Sequence, residues 1–269
     1  PPAAPANGAY QAATSDTSST FTFTGEPSST FRCRIDGGSW ATCTSPFTTP
    51  VLGAGTHTLD IQQIDVAANV SGSQTITWTI DNSAPPAVVF SSIPSSPTNA
   101  TTAAPAMSIT ADGGGATYTR YCKVDAGAWG TCGSPLSLTG LTEGDHTVSA
   151  YQRKSVGGGA PVDSVTTSIV WTVDTTAPAA PGITTQPANP TSSASATFDA
   201  TAEAGTTLEC KLDPGGAWGA CPSPLTYSGL ADGVHTLNLR AVDHAGNTSA
   251  ITTVTWTIDS AQPGAVTIT

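Results

Sequence analysis

The chain has 269 residues, only 10% of them charged, and its 8 Lys+Arg against 19 Asp+Glu leave a net charge of −11. That charge cannot build a basic face for phosphates, which excludes nucleic-acid binding, and no apolar run approaches the ~20 residues that span a bilayer. Leu, Glu and Lys are scarce beside Thr, Ser, 27 Gly and 21 Pro, which excludes long amphipathic helices and leaves an all-β, acidic, secreted chain. It opens on Pro1-Pro2 with Met107 as its one methionine, so any leader is expected to lie upstream or to have been removed.

In chain order, Phe21 and Phe23 alternate with Thr as one face of a strand does. Cys33 and Cys43 flank a hairpin whose turn is signalled by Asp36-Gly37-Gly38. His57 opens the next strand, and Asp65 and Asn69 mark the turn that closes it. Ile76, Trp78 and Ile80 alternate with Thr in the last strand, which ends on Asp81 before the Pro-rich joint Ala84-Pro85-Pro86.

The same order then recurs twice. Trp40, Trp129 and Trp218 stand 89 residues apart, as do His57, His146 and His235. The last strands of the later repeats carry Trp171 and Trp256 and end on Asp174 and Asp259. The second repeat departs from the pattern late in its sequence, where Ser155 to Pro161 predicts a longer, Gly-rich hairpin loop. The predicted organisation is domain 1 over residues 1–81, domain 2 over 82–174 and domain 3 over 175–259. Residues 260–269 are read as a joint and the first strand of a further module, or a spare strand. Roughly seven strands in about 90 residues predict the fold class: all-β, three tandem immunoglobulin-like β-sandwiches, each with one intra-hairpin disulfide.

Three motifs recur in every repeat, Cys33-Arg-Ile-Asp36 running through Trp40 to Cys43, Gly-Thr-His57-Thr and Trp78-Thr-Ile-Asp81, and a fourth, Ile64-Asp-Val-Ala-Ala-Asn69, recurs in the third repeat while the second has Arg153-Lys154 there. Together they resemble the bacterial immunoglobulin-like repeats that occur in tandem within large secreted and surface-anchored proteins of adhesin type. The resemblance covers nearly the whole chain. It implies a sandwich fold and an extracellular location at the bacterial cell surface, and it names no ligand.

Six cysteines in three equally placed pairs predict a disulfide framework, Cys33–Cys43, Cys122–Cys132 and Cys210–Cys221, because equivalent domains should pair alike. Zinc and redox chemistry fit poorly, since there is no Cys-x-x-Cys and no paired His nearby. The repeated His is expected to bond the backbone at a strand start, where such sandwiches usually place a tyrosine. Trp78, Trp171 and Trp256 fall on the inward phase of the last strand, and Trp40, Trp129 and Trp218 are expected to cover the disulfides.

No catalytic motif is present, and the carboxylate pairs all belong to repeated turns, so no enzyme is predicted and no catalytic residue assigned. Calcium is the one cofactor the residues raise. Asp81, Asp174 and Asp259 recur at domain ends, and Asp65 and Asp243 in turns that a sandwich can bring to the same pole. The competing reading has these carboxylates bonding their own backbone. The predicted function is a non-catalytic stalk or adhesin array whose partners are neighbouring modules and a surface receptor or glycan. The alternative is a self-assembling fibre in which Val266 and Ile268 add a strand to another copy near Phe21 and Phe23, where Pro1 to Gly8 reads as a poor strand. A third reading is an accessory module of a secreted polysaccharide-active enzyme.

Overall fold

The structure, a computed structural model, describes residues 2–7, 12–113 and 115–266. Ile268 lies outside them. The described residues form strands and no helix, as a chain rich in Thr, Gly and Pro and poor in Leu, Glu and Lys should. The first repeat contains β1 (Ala6–Asn7), β2 (Ala13–Thr14), β3 (Thr20–Phe21), β4 (Phe23–Thr24), β5 (Thr30–Ile35), β6 (Ala41–Cys43), β7 (Phe47–Thr48), β8 (Gly55–Ile64) and β9 (Gln74–Ile80). The second contains β10 (Val89–Ser92), β11 (Ala106–Ser108), β12 (Thr117–Val124), β13 (Gly130–Thr131), β14 (Gly144–Ser155), β15 (Val162–Asp163) and β16 (Thr167–Val173). The third contains β17 (Gly182–Thr185), β18 (Ala196–Thr201), β19 (Thr207–Leu212), β20 (Gly219–Ala220), β21 (Leu225–Tyr227), β22 (Gly233–Val242) and β23 (Thr252–Ile258).

Backbone contacts divide the chain into two compact units. One holds Pro1–Ile93, Pro105–Leu136 and Thr147–Ile169; the other holds Pro94–Ala104, Ser137–His146 and Val170–Thr269.

In the first unit the larger sheet of the first repeat runs β2-β9-β8-β5-β6, faced by the pairs β1-β4 and β3-β7. Phe21 and Phe23 from the small pairs meet Leu59, Ile61, Ile76, Trp78 and Ile80 from the large sheet in one buried cluster. Each element contributes alternate residues, so one face of every strand enters the core. Ala6–Asn7, within the segment expected to be a poor strand, pairs antiparallel with Phe23–Thr24. That edge is therefore already occupied. The unit also holds β12, β13, β15 and the part of β14 from Thr147 on, which run in the order β13-β12-β14-β15, and the pair β10-β11. Val88, Met107, Cys122 and Ala150 form a second cluster there.

In the second unit the third repeat shows the sandwich most completely. A three-stranded sheet β17-β18-β21 faces the four-stranded sheet β20-β19-β22-β23, the immunoglobulin-like arrangement of two antiparallel layers. Phe198 from one layer packs with Leu237, Leu239, Trp256 and Ile258 from the other.

The disulfides pair as the spacing predicts, with Cα–Cα distances of 5.8, 5.8 and 5.9 Å. They are diagonal, not directly opposite: the register sets Cys33 against Ala41 and Cys43 against Phe31. A turn longer than two residues causes the offset. It opens at Asp36 with φ 50° and is closed by the Gly38 N–H donating to the Ile35 carbonyl at 2.8 Å. Asp125 and Asp213 take the same left-handed conformation, at φ 50° and 53°, which Asp tolerates better than most residues.

Candidate functional site

The most chemically capable side chains are the repeated histidines, and each is used at the start of a strand. His57 Nε2 bonds the Gly53 carbonyl, His146 Nε2 that of Thr142 and His235 Nε2 that of Ala231, all at 2.9 Å. The other nitrogen of His57 meets Asp36 Oδ2 at 2.8 Å, and that of His235 meets Asp213 Oδ2 at 2.9 Å. The second oxygen of each aspartate accepts the next backbone N–H of the strand, from Thr58 or Thr236, at 2.8 Å. Asp125 accepts the equivalent N–H of Thr147 at 2.7 Å. The aspartate partner escaped the sequence reading. Its signal was the near-constant interval between the Asp of the cysteine hairpin and the His, as from Asp36 to His57 and from Asp125 to His146, which the third repeat lengthens by one residue from Asp213 to His235.

These pairs set a pH dependence. The hydrogen bond to Asp36 and then the Gly53 carbonyl hold His57 above its ordinary 6.5, against burial. For His235 the Ala231 carbonyl leads, with Asp213 second. A histidine raised in the folded state gives stability that is complete below its unfolded pKa and lost as pH rises through the folded one. Burial raises Asp36 and Asp213, but the His and backbone N–H bonds outweigh it and hold both below 3.8. Their contribution is present above that value and lost as pH falls through the folded one. The melting midpoint is therefore expected to be highest between about pH 4 and 6.5 and to fall by a few degrees towards pH 8. Replacing His57 and His235 by Gln should flatten the upper limb; an unchanged slope would remove these pairs as its cause.

The five candidate calcium carboxylates are all engaged by the protein. Asp65 Oδ1 accepts the N–H groups of Ala67 (2.9 Å) and Asn69 (2.8 Å), and its Oδ2 accepts Asn69 Nδ2 at 2.8 Å. Asp243 does the same with Asn247, at 2.8 and 2.9 Å. Asp174 and Asp259 cap the next turn through Thr176 N and Ala261 N, both at 3.1 Å. Among the described residues no three His, Cys, Asp or Glu side chains converge on a point that could hold a metal ion. Melting curves with and without excess chelator are expected to coincide, and a midpoint lowered by chelation would show that these carboxylates bind calcium.

Asp81 differs. Lys154 Nζ lies 2.9 and 3.0 Å from its two oxygens, 2.9 Å from Ser83 Oγ and 3.0 Å from Asp112 Oδ2. The lysine is 0% exposed. Burial disfavours the ammonium, yet the hydrogen bonds and charges of Asp81 and Asp112 outweigh it and raise the Lys154 pKa above its ordinary value. Both carboxylates are held below theirs, Asp81 chiefly by Ser83 and then Lys154, and Asp112 chiefly by Tyr118 and then Lys154. Tyr118 also donates its hydroxyl hydrogen bond to Asp112.

The backbone at each repeat end is built alike. Asp81, Asp174 and Asp259 donate their N–H to the carbonyls of Thr14, Thr98 and Thr191, at 2.8, 2.9 and 2.9 Å. These bonds follow parallel pairings of the opening segment with the last strand: Thr14 with Ile80, Thr98 with Val173, and Thr191 with Ile258. At the end of the second repeat the turn of the third docks here. Asn247 Nδ2 donates to the Asp174 carbonyl at 2.7 Å and Asn99 N–H to the Ala245 carbonyl at 3.1 Å.

The cysteine-proximal tryptophans do not cover the disulfides. Arg32 and Arg34 flank Cys33 in β5 and so point to the opposite face, where their guanidinium groups lie 5.0 and 4.7 Å from the Trp40 ring. Arg240, between buried Leu239 and Ala241, lies 4.4 Å from Trp218 in the same way, and Lys123 lies 5.3 Å from Trp129. Short hairpins leave these rings on the outer sheet face, and cations cover them. Val266 is 91% exposed and belongs to no strand, while Phe21 and Phe23 are already buried.

No family model matches the chain, and no curated protein matches its sequence. Among solved structures it is similar to the chicken CNTN1 FN1–FN3 domains at 13% identity, covering 96% of this chain and 99% of that one with a TM-score of 0.39.

Proposed function

We propose that the chain is a non-catalytic extracellular spacer, an array of immunoglobulin-like repeats that carries an adhesive segment away from a bacterial cell surface. One observation carries this reading: the ends of the first two repeats are bonded to the repeat that follows, the first through Lys154 of β14 and the second through Asn247 of a turn. Packed joints transmit position and load, whereas flexible linkers do not. The histidines and turn carboxylates fit the same reading, since they brace strand starts and turns. Three disulfides suit an oxidising compartment. The partners are then neighbouring modules of the same protein, with a surface receptor or glycan at the adhesive end. Antibody labelling of intact cells, with protease shaving, tests the location. Surface exposure and fully oxidised cysteines are expected, and a cytoplasmic pool with free thiols would overturn the reading.

The fibre alternative draws on one feature, the exposed Val266. Another copy's strand would have to displace Ala6–Asn7 from Phe23–Thr24. Sedimentation velocity across a wide concentration range is expected to return monomers. Polymers that vanish on deleting residues 263–269 would favour the fibre.

A further inference from the structure

Lys154 stands eight residues after His146, as Asp65 stands after His57 and Asp243 after His235. In the first and third repeats that aspartate closes its own turn with an asparagine four residues on. In the second repeat the position carries the opposite charge and the turn gives way to the Gly-rich loop. The side chain reaches instead into the end of the first repeat, where Asp81 and Ser83 supply three of its four oxygen contacts; Asp112 of its own repeat supplies the fourth. A buried ammonium persists only when it is paired and hydrogen-bonded. Here every N–H can find an oxygen.

The loop that follows makes a second attachment. The Ala160 N–H donates to Asp16 Oδ1 at 3.0 Å, and the Ala160 carbonyl accepts Ser15 Oγ. Gly159 lies so close that a Cβ there would come within 2.5 Å of Ser15 Oγ, 2.7 Å of Thr14 Oγ1 and 2.9 Å of Asp16 N. All the residues involved fall within one compact unit.

We propose that Lys154 and the 156–160 loop form a lock particular to the first joint, in which the second repeat's ammonium fills a socket made by Asp81, Ser83 and Asp112 and couples the first two repeats into one cooperative body. The lock also fixes which repeat can follow the first. An aspartate at this position, as in the third repeat, would set a third carboxylate against Asp81 and Asp112, a repulsive mismatch of the kind that gives interfaces their specificity. The second joint uses the neutral Asn247 amide, which bonds a backbone carbonyl and not a carboxylate. The inference goes beyond the spacer reading and stands or falls independently of the cellular location.

The test uses the full chain, with calorimetry and hydrogen exchange read by peptide mass spectrometry. Lys154→Met should lower the midpoint of the coupled repeats by about 5–15 °C. It should also speed amide exchange in Gln74–Ile80, which belongs to the first repeat. Faster exchange confined to the second repeat would overturn the coupling. Lys154→Asp should uncouple the repeats more fully than Lys154→Met, and an equal or smaller effect would overturn the keying. Lys154→Ala leaves room for n-propylammonium, which should recover part of the lost midpoint while adding nothing to the parent chain; equal gains in both would count against the socket. Should these variants fail to fold, Asp112→Asn keeps the lysine and one carboxylate. It is expected to lower the midpoint by about 3–7 °C, and an unchanged midpoint would refute the lock. Gly159→Val should speed exchange at Ala13–Thr14 alone, and no change there would remove the loop from the proposal.

Discussion

Trp256→Ala is expected to destabilise the third repeat by about 3–5 kcal/mol. The indole is 1% exposed and lies against Phe198, ring centroids 5.0 Å apart, and His235 at 5.5 Å. Leu237, Leu239 and Ile258 complete the cluster, so truncation opens a cavity between two sheets that are fixed by their own ladders. The indole N–H has no hydrogen-bond acceptor among the described residues, and neither have those of Trp78 and Trp171. The ring is thus held by area and shape alone. Trp256→Phe should accordingly be much milder than the alanine variant. Against a typical domain stability of about 5–15 kcal/mol, the alanine variant is expected to bring the repeat near its folding threshold. Urea titration of the full chain measures it, and a loss under about 1 kcal/mol would show that the core collapses around the gap.

Removing one bridge by the paired substitution Cys210→Ala, Cys221→Ala should cost about 2.5–3 kcal/mol, the chain-entropy value for a loop of this size. The structure adds where the loss falls. Each bridge ties an inner strand to a short edge strand, through Cys43 within β6 and through Cys132 and Cys221 directly after β13 and β20. So short an edge has few ladder bonds of its own and depends on the cross-link. Hydrogen exchange in the variant should therefore rise first at Gly219–Ala220, with β22 and β23 protected until global unfolding. Uniform loss of protection would mean that the bridge acts on the unfolded chain alone. In the oxidised parent, peptide mapping should return the three within-hairpin pairs and no others.

What could be read in the sequence follows from periodicities of two residues and of 89. Alternation placed Trp78, Trp171 and Trp256 in the core, and their 1% exposure follows from it. Repetition paired the cysteines, because equivalent segments fold alike. The reading went wrong where a residue's neighbour on the chain was mistaken for its neighbour in space. Trp40 is close to Cys43 in sequence, yet it packs under Arg32 and Arg34 on the other face. The opening segment looked too poor for a strand, but Phe23–Thr24 offered it an edge to pair with.

The sequence by itself determined the all-β class, the disulfide pairs and the inward faces of the strands, because those depend on local alternation and on residues a hairpin brings together. Only the tertiary structure decided the joints. Lys154 and Asp81 are 73 residues apart, and Asn247 is equally far from Asp174. No periodicity relates such positions. Nothing in the sequence marks Lys154, beside Arg153, as a buried charge. It becomes a buried one because two sandwiches meet there, and an ammonium removed from water must be met by carboxylates.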